Sequence, residues 1–248
     1  MSDLPAISPE ISLVIPVFNE EESLEILAAE IREALGAADL SYEVLFVDDG
    51  SSDRSPEILG RIQAADRRVR VLRQRRNAGQ SAAFDAGFRF ARGGVVVTLD
   101  ADLQNDPHDI PRLLEALGQT DVVCGVRANR RDTWVRRASS RIANGVRNRL
   151  THDRVTDTGC SLKAFRAGFL QRLPMFHGMH RFLPTLLRME GARVVEIAVN
   201  HRQRRFGVAK YGIGNRVFRA LADLFAVRWM QKRWLDRGLT EEVSAPRP

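Results

Sequence analysis

The stretch Val95-Val96-Val97-Thr98-Leu99-Asp100-Ala101-Asp102-Leu103-Gln104 decides how this chain is read. Its first half is a short apolar run of the kind that forms a buried strand, and its second half is an acidic turn. Two carboxylates separated only by a small alanine can reach one common ligand. Carboxylates alone repel a diphosphate. The pair makes chemical sense with a hard divalent cation, which takes oxygen ligands and bridges carboxylate to phosphate; Gln104 offers a third, neutral oxygen. A calcium loop is excluded, because Asn105 stands where that loop needs glycine and Pro111 where it needs a bidentate glutamate. The competing explanation is a capped turn ahead of Pro107 with Asp106 as N-cap. Its position behind a buried strand favours the ligand-binding one.

Outward from this turn, the first half of the chain alternates strand and helix signals. Ile11–Val17 reads as a buried strand and Glu20–Leu35 carries apolar residues at helical spacing. Tyr42–Val47 is a second strand, ended by Asp48-Asp49-Gly50. Ser52-Asp53 offers an N-cap, with Pro56 and a helix to about Ala65 behind it. Val69–Leu72 and Val95–Leu99 are further strands with the helix Gln80–Ala91 between them. Pro107–Leu117 is a short helix and Asp121–Val126 a strand. This rhythm predicts an α/β fold with a mostly parallel sheet flanked by helices, in which ligands sit at the carboxyl ends of the strands. The second half is less regular: a basic helix Trp134–Leu150, a strand or loop Thr158–Phe165, a helix Arg181–Met189, a strand Val194–Val199, an Arg- and Gly-rich loop His201–Gly214 and a long helix Ile213–Leu235.

The polar motifs fall at strand ends. Pro16-Val17-Phe18-Asn19-Glu20 follows the first strand: proline fixes the turn, Phe18 offers a stacking face and Glu20 an acceptor for base or ribose. A helix cap at Asn19 with first-turn acids is the plainer reading. Asp48 ends the second strand, where a carboxylate accepts from ribose or base. Asn77-Ala78-Gly79-Gln80-Ser81 precedes a helix N-terminus whose free N–H groups favour an anion.

Charge divides the chain. Residues 1–120 hold 12 Lys+Arg against 21 Asp+Glu, and the remainder 26 against 10, within an overall net charge of +7. The basic second half points to phosphates in a substrate, on a membrane or in nucleic acid. Nucleic acid is disfavoured, since the basic residues lack interleaved aromatics. Two cysteines are too few for a disulfide framework. No stretch approaches the roughly eighteen apolar residues of a membrane span, and the start has no signal pattern, so a cytoplasmic protein is expected.

Taken together, LVIPVFNEEESL (13–24), VDDGSSD (47–53), NAGQSAAFDAGF (77–88) and TLDADLQNDP (98–107) resemble family 2 glycosyltransferases with the GT-A (Rossmann-like) fold. DTGCSLKAF (157–165), HRFLP (180–184) and RRFGVAKYG (204–212) are similar to the polyprenyl-phosphate branch, of the dolichyl-phosphate mannosyltransferase type. The resemblance covers roughly residues 10–235. It implies an inverting, metal-dependent transfer from a nucleoside diphosphate sugar to a polyprenyl phosphate, with Mg2+ or Mn2+ as cofactor. By the same resemblance, Pro16, Phe18, Glu20 and Asp48 hold the nucleoside, and Asp100 and Ala101 line the donor site. Asp102 and Gln104, with Asp100, form the metal site. Arg127 contacts phosphate, and Arg204 and Lys210 sit on a closing loop. Asp157, by its place next to Thr158-Gly159-Cys160, is a candidate to orient an acceptor-side arginine or to act as a base for a hydroxyl acceptor, and a structural role is the equal alternative. The family's Gly-Glu-Ser-Lys loop here reads Gly207-Val208-Ala209-Lys210. The implied organisation is a catalytic domain over 1–212, an amphipathic helix over 213–237 and a frayed tail over 238–248. Val217, Leu221, Leu224, Phe225 and Trp229 on that helix form an apolar face suited to peripheral contact with an anionic membrane at its cytoplasmic face. Two alternatives stand: a family 2 enzyme acting on a saccharide hydroxyl in cell-envelope polysaccharide synthesis, and a non-catalytic nucleotide-sugar-binding protein.

Overall fold

The computed structural model describes residues 9–128, 145, 147–151, 153, 155–171, 173, 175–206 and 214–235, with 214–220 as backbone. Within them the apolar runs form seven strands: β1 (Ile11–Val17), β2 (Tyr42–Asp48), β3 (Val69–Arg73), β4 (Val95–Thr98), β5 (Val122–Arg127), β6 (Lys163–Arg166) and β7 (Val194–Val199). Helices α1 (Leu24–Gly36), α2 (Ser55–Ala65), α3 (Gln80–Phe90) and α4 (Ile110–Leu117) separate the first five. The helix Leu183–Met189 precedes β7, and the C-terminal helix runs over Gly214–Arg233. One sheet holds all seven strands in the order β3-β2-β1-β4-β6-β5-β7. Only β6 runs against its neighbours, β4 and β5. The sheet is therefore mostly parallel with helices on its faces, the GT-A-like arrangement expected.

Sequence-adjacent units place β2 and β3 on one side of β1, whereas β4 crosses to the other side. The gap between β1 and β4 is thus a topological switch point, where α/β sheets bind ligands. Alternation along β1 feeds two cores. Leu13, Ile15 and Val17 pack with Leu24, Leu27, Ile31, Leu59 and Leu113 on one face. Val14 packs on the other with Phe84, Phe88, Phe165, Leu186, Leu224 and Val227. Helix α3 lies so close to β1 that a Cβ on Gly87 would fall 2.1 Å from Val14 Cγ1, so glycine sets the helix–sheet spacing.

Several local expectations shift. Pro16 lies inside β1, opposite Val47, and does not make a turn. The β4 register ends at Val14, so the chain beyond it can carry a residue with no N–H. Helix α1 starts at Leu24, four residues later than its apolar spacing suggested, and Ser23 rather than Asn19 is its N-cap residue. The predicted loop-or-strand Thr158–Phe165 yields only β6. The C-terminal helix divides its predicted apolar face: Leu224 and Val227 are buried in the core, while Leu221, Phe225 and Trp229 are 40, 62 and 64% exposed. The side chain of Val217, most of the helix expected over Trp134–Leu150, the loop 207–213 with Lys210, and the tail expected over 238–248 lie outside the described residues.

Candidate active site

Three parallel strands end side by side, and each delivers one motif to the same rim. At the end of β1, Asn19 adopts a left-handed φ of 52°, which asparagine tolerates better than most residues. Its N–H donates to Ser51 Oγ at 3.0 Å, and its Oδ1 accepts from Ser52 N at 2.8 Å. Glu20 N donates to Ser55 Oγ at 2.9 Å and Glu21 N to Asp53 Oδ2 at 3.2 Å. The β1 and β2 ends are therefore stitched together, which holds the segment with partly buried Phe18 and Glu20 against the turn that follows Asp48. Asp48 is buried. One oxygen accepts from Ser51 N at 2.9 Å, while Oδ2 has no hydrogen-bond donor and lies 3.4 Å from Arg73 Nε.

Asp49 answers the question of which anion the α3 N-terminus takes. Its two oxygens accept from Ala78 N at 2.7 Å and Gly79 N at 2.8 Å. The anion is an internal carboxylate, not a ligand phosphate. Burial raises the Asp49 carboxyl above its ordinary range, and the two N–H groups work against that rise. Gly50 is obligatory here: φ is +71°, and a Cβ would fall 2.7 Å from Arg76 C and Asn77 N.

The end of β4 carries the acidic turn. Asp100 Oδ1 accepts from Gln80 Nε2 at 2.8 Å, and its N–H donates to Asn105 Oδ1 at 3.1 Å. Ser161 Oγ donates to the same Asn105 oxygen at 2.7 Å, which ties the turn to the segment before β6. Asp102 is buried; its Oδ1 accepts from Gln104 N at 3.1 Å and its Oδ2 from Arg204 Nη2 at 2.7 Å. Arg204 is carried by a strap fastened to the turn: Arg202 N donates to Gln104 O at 2.9 Å, and Arg202 pairs with Glu30 at 2.6 Å and Asp106 at 2.8 Å.

The electrostatics of the turn follow. Burial first, and then the charge of Asp102, push the Asp100 carboxyl up to about 6, while Ser161, Lys163 and Arg204 pull the other way. Burial pulls the Arg204 guanidinium down, but its hydrogen bond to Asp102 and the charges of Asp102, Glu20 and Asp100 leave it raised. Two carboxylates at a buried turn call for a cation, and every donor offered (Asp100, Asp102, Gln104) is oxygen, the chemistry of Mg2+ or Mn2+. Among the described residues no group of three or more His, Cys, Asp or Glu is arranged around a metal. Two carboxylates and an amide oxygen are a donor set suited to an ion that takes only part of its shell from protein and the rest from substrate phosphate and water.

Arg127 ends β5 on the same rim. Asp157 grips it in a fork: Arg127 Nε donates to Oδ2 at 2.7 Å and Nη2 to Oδ1 at 2.8 Å. Asp157 also accepts from Arg127 N at 3.2 Å and Gly159 N at 3.1 Å. A Cβ on Gly159 would fall 2.7 Å from Arg127 Nη2, so the glycine makes room for the guanidinium. With both oxygens engaged, Asp157 is arranged to orient Arg127.

Sequence reading singled out no role for Gln80, Asn105 or Lys163. Lys163 is buried in β6, its Nζ donating to Cys160 O. It stood out in one respect: only three of 38 Lys+Arg are lysine, and one of them sits in the apolar run Leu162–Phe165.

Comparison with known proteins is consistent with this geometry. Residues 12–173 match the sequence family described as glycosyl transferase family 2. An undecaprenyl-phosphate 4-deoxy-4-formamido-L-arabinose transferase of Edwardsiella ictaluri is 44% identical over 217 residues, covering 86% of this chain and 66% of the relative. A dodecaprenyl-phosphate galacturonate synthase of Rhizobium johnstonii is 38% identical over 237 residues, covering 92% and 69%. The chain thus spans about two thirds of the length of these relatives. Among solved structures, a mannosyltransferase from Pyrobaculum calidifontis in complex with GDP-Man and Mn2+ superposes with a TM-score of 0.64 at 21% identity, covering 94% of this chain and 66% of that one. The Mycobacterium tuberculosis glucosyl-3-phosphoglycerate synthase, with Mn2+ and UDP, gives 0.65 at 19% identity, covering 93% and 82%. At these identities the two structures speak to the fold.

Proposed function

The chain belongs to glycosyl transferase family 2, and from that membership we propose that it transfers a glycosyl group, with inversion, from a nucleoside diphosphate sugar to a polyprenyl phosphate. The observation that carries this reading is the meeting of the Asp100–Gln104 turn with Arg204, whose guanidinium also feels the charge of Glu20, at the β1/β4 switch point. The names of the two relatives support the acceptor class.

In this reading Pro16, Phe18, Glu20 and Asp48 bind the nucleoside. Asp100 and Ala101 line the diphosphate. Asp102, Gln104 and Asp100 hold a divalent cation, which when bound neutralises charge developing on the leaving diphosphate. Arg204 is drawn from Asp102 toward the same phosphates, and Lys210 follows on the loop beyond it. Arg127, oriented by Asp157, meets phosphate from the acceptor side.

A phosphate monoester has a second pKa of roughly 6, so the acceptor is largely dianionic at neutral pH and needs no strong base. That suits a site in which Asp157 is committed to a guanidinium. A saccharide-hydroxyl acceptor would need a carboxylate base, and both oxygens of Asp157 are already engaged by Arg127 and Gly159. The same reading sets the enzyme at the cytoplasmic face of a membrane, with exposed Leu221, Phe225 and Trp229 toward the lipid. No described helix is long and apolar enough to cross a bilayer.

Calorimetric titration of GDP and UDP with and without Mn2+ tests the donor half of the proposal. We expect Mn2+-dependent binding of one nucleotide that Asp102→Asn abolishes while the fold persists. Equal binding by that variant, or binding indifferent to chelator, would contradict it.

A further inference from the structure

The HRFLP motif contributes nothing to the roles above, yet its first residue reaches the donor rim. His180 Nδ1 lies 2.8 Å from Ser81 Oγ, in the first turn of α3. The same Oγ accepts the N–H of Gly178 at 3.0 Å. Ser81 is buried, so its hydroxyl proton also needs an acceptor, and Nδ1 of a neutral imidazole is placed to be one. The adjoining residue, Gln80, donates to Asp100 Oδ1 at 2.8 Å, and Asp49 holds Ala78 and Gly79. The His177–Arg181 turn is in turn seated against the C-terminal helix. Gly178 has a φ of +92°, and a Cβ on it would fall 2.3 Å from Asp223 Oδ2.

We propose that His180 and Ser81 are positioning residues for the transfer reaction: by fixing the first turn of α3 they hold the Gln80 amide on Asp100, and so keep that carboxylate aligned with Asp102. Neither residue touches substrate. Their effect passes through Gln80, whose amide sets the orientation of one carboxylate oxygen. Misplacing a positioned group by about 1 Å can cost up to roughly a hundredfold in rate, so a brace two residues removed from the chemistry is consequential.

The inference rests on the metal-and-diphosphate reading of the Asp100–Gln104 turn, and its test separates the two. Mn2+ uptake by electron paramagnetic resonance and GDP and UDP affinity with Mn2+ are measured on the full chain, alongside urea melts and kcat and KM. For His180→Ala and Ser81→Ala we expect Mn2+–nucleotide affinity to weaken by about tenfold or more with the fold retained. Asparagine presents a polar atom near the place of Nδ1, so His180→Asn should recover affinity to within about threefold of wild type. In a Gln80→Ala background, His180→Ala should cause no further loss, because the path it acts through is already cut. Unchanged affinity in His180→Ala, no recovery in His180→Asn, or additive losses with Gln80→Ala would each overturn the brace. Wild-type protein that takes up neither Mn2+ nor nucleotide would overturn the underlying reading instead.

Discussion

Replacing Asp157 with asparagine separates an orienting carboxylate from a catalytic base. Asp157 accepts four N–H groups: Nε, Nη2 and the backbone N of Arg127, and the N of Gly159. The asparagine amide keeps one oxygen and turns a donor toward the remaining N–H groups, so part of the fork is lost and the guanidinium no longer faces the Asp157 charge. Breaking a buried ion pair by removing one partner costs about 3 to 5 kcal/mol. The Arg127 side chain retains 19% exposure against 6% for Asp157. That places the cost at the lower end, about 3 kcal/mol. With a urea m-value of roughly 3 kcal/mol per molar for a chain of this size, the midpoint should fall by about 1 M. Acceptor-side kcat/KM should fall at least about tenfold as Arg127 loses its orientation. The shape of the pH–rate profile should not change, because Asp157 carries no proton in the reaction. A midpoint shift below about 0.3 M would refute the ion-pair reasoning. Loss of one limb of the pH profile in Asp157→Asn would make Asp157 the base.

Three further outcomes follow from the same geometry. Gly50→Ala combines left-handed strain with a backbone collision, so it should lower stability by about 2 to 4 kcal/mol and weaken nucleotide binding; a loss under about 1 kcal/mol in thermal melts would contradict the requirement for glycine. Asp100 has a folded-state pKa of about 6, above its unfolded value, so its contribution is complete below about pH 4 and is lost as pH rises through 6. Wild type minus Asp100→Asn should therefore decline by at most about 3 kcal/mol across that window in chelator, and a flat difference would refute the shift. Exchanging Phe225 and Trp229 for serine should leave urea melts unchanged, because both side chains are exposed, but reduce flotation with anionic vesicles several-fold; undiminished flotation removes the membrane reading.

The parallel frame and the acidic turn were legible because both are local. A β-branched run followed by Asp100-Ala101-Asp102 announces a buried strand that ends in carboxylates, and the strands before it repeat the pattern. What stayed hidden depends on residues far apart in the chain. Asn19 looks like a helix cap until Ser51 and Ser52, some thirty residues on, are seen to be its partners. The α3 N-terminus looks like a phosphate cradle until Asp49 is found filling it. Strand β6 has four residues and takes its direction from β4 and β5, so its antiparallel insertion is a tertiary outcome that no window reveals. Arg204 and Asp102 are 102 positions apart, and their pairing depends on the Arg202 strap that delivers one to the other.

The most direct measurement incubates the chain with undecaprenyl phosphate and a panel of UDP- and GDP-sugars, with Mn2+ or with chelator, and reads the lipid product by mass. We expect a glycosyl phosphodiester from one donor, formed with the metal, lost in chelator and absent when the phosphate-free polyprenol replaces the acceptor. Product formed equally in chelator, or glycosylation of the polyprenol, would contradict it.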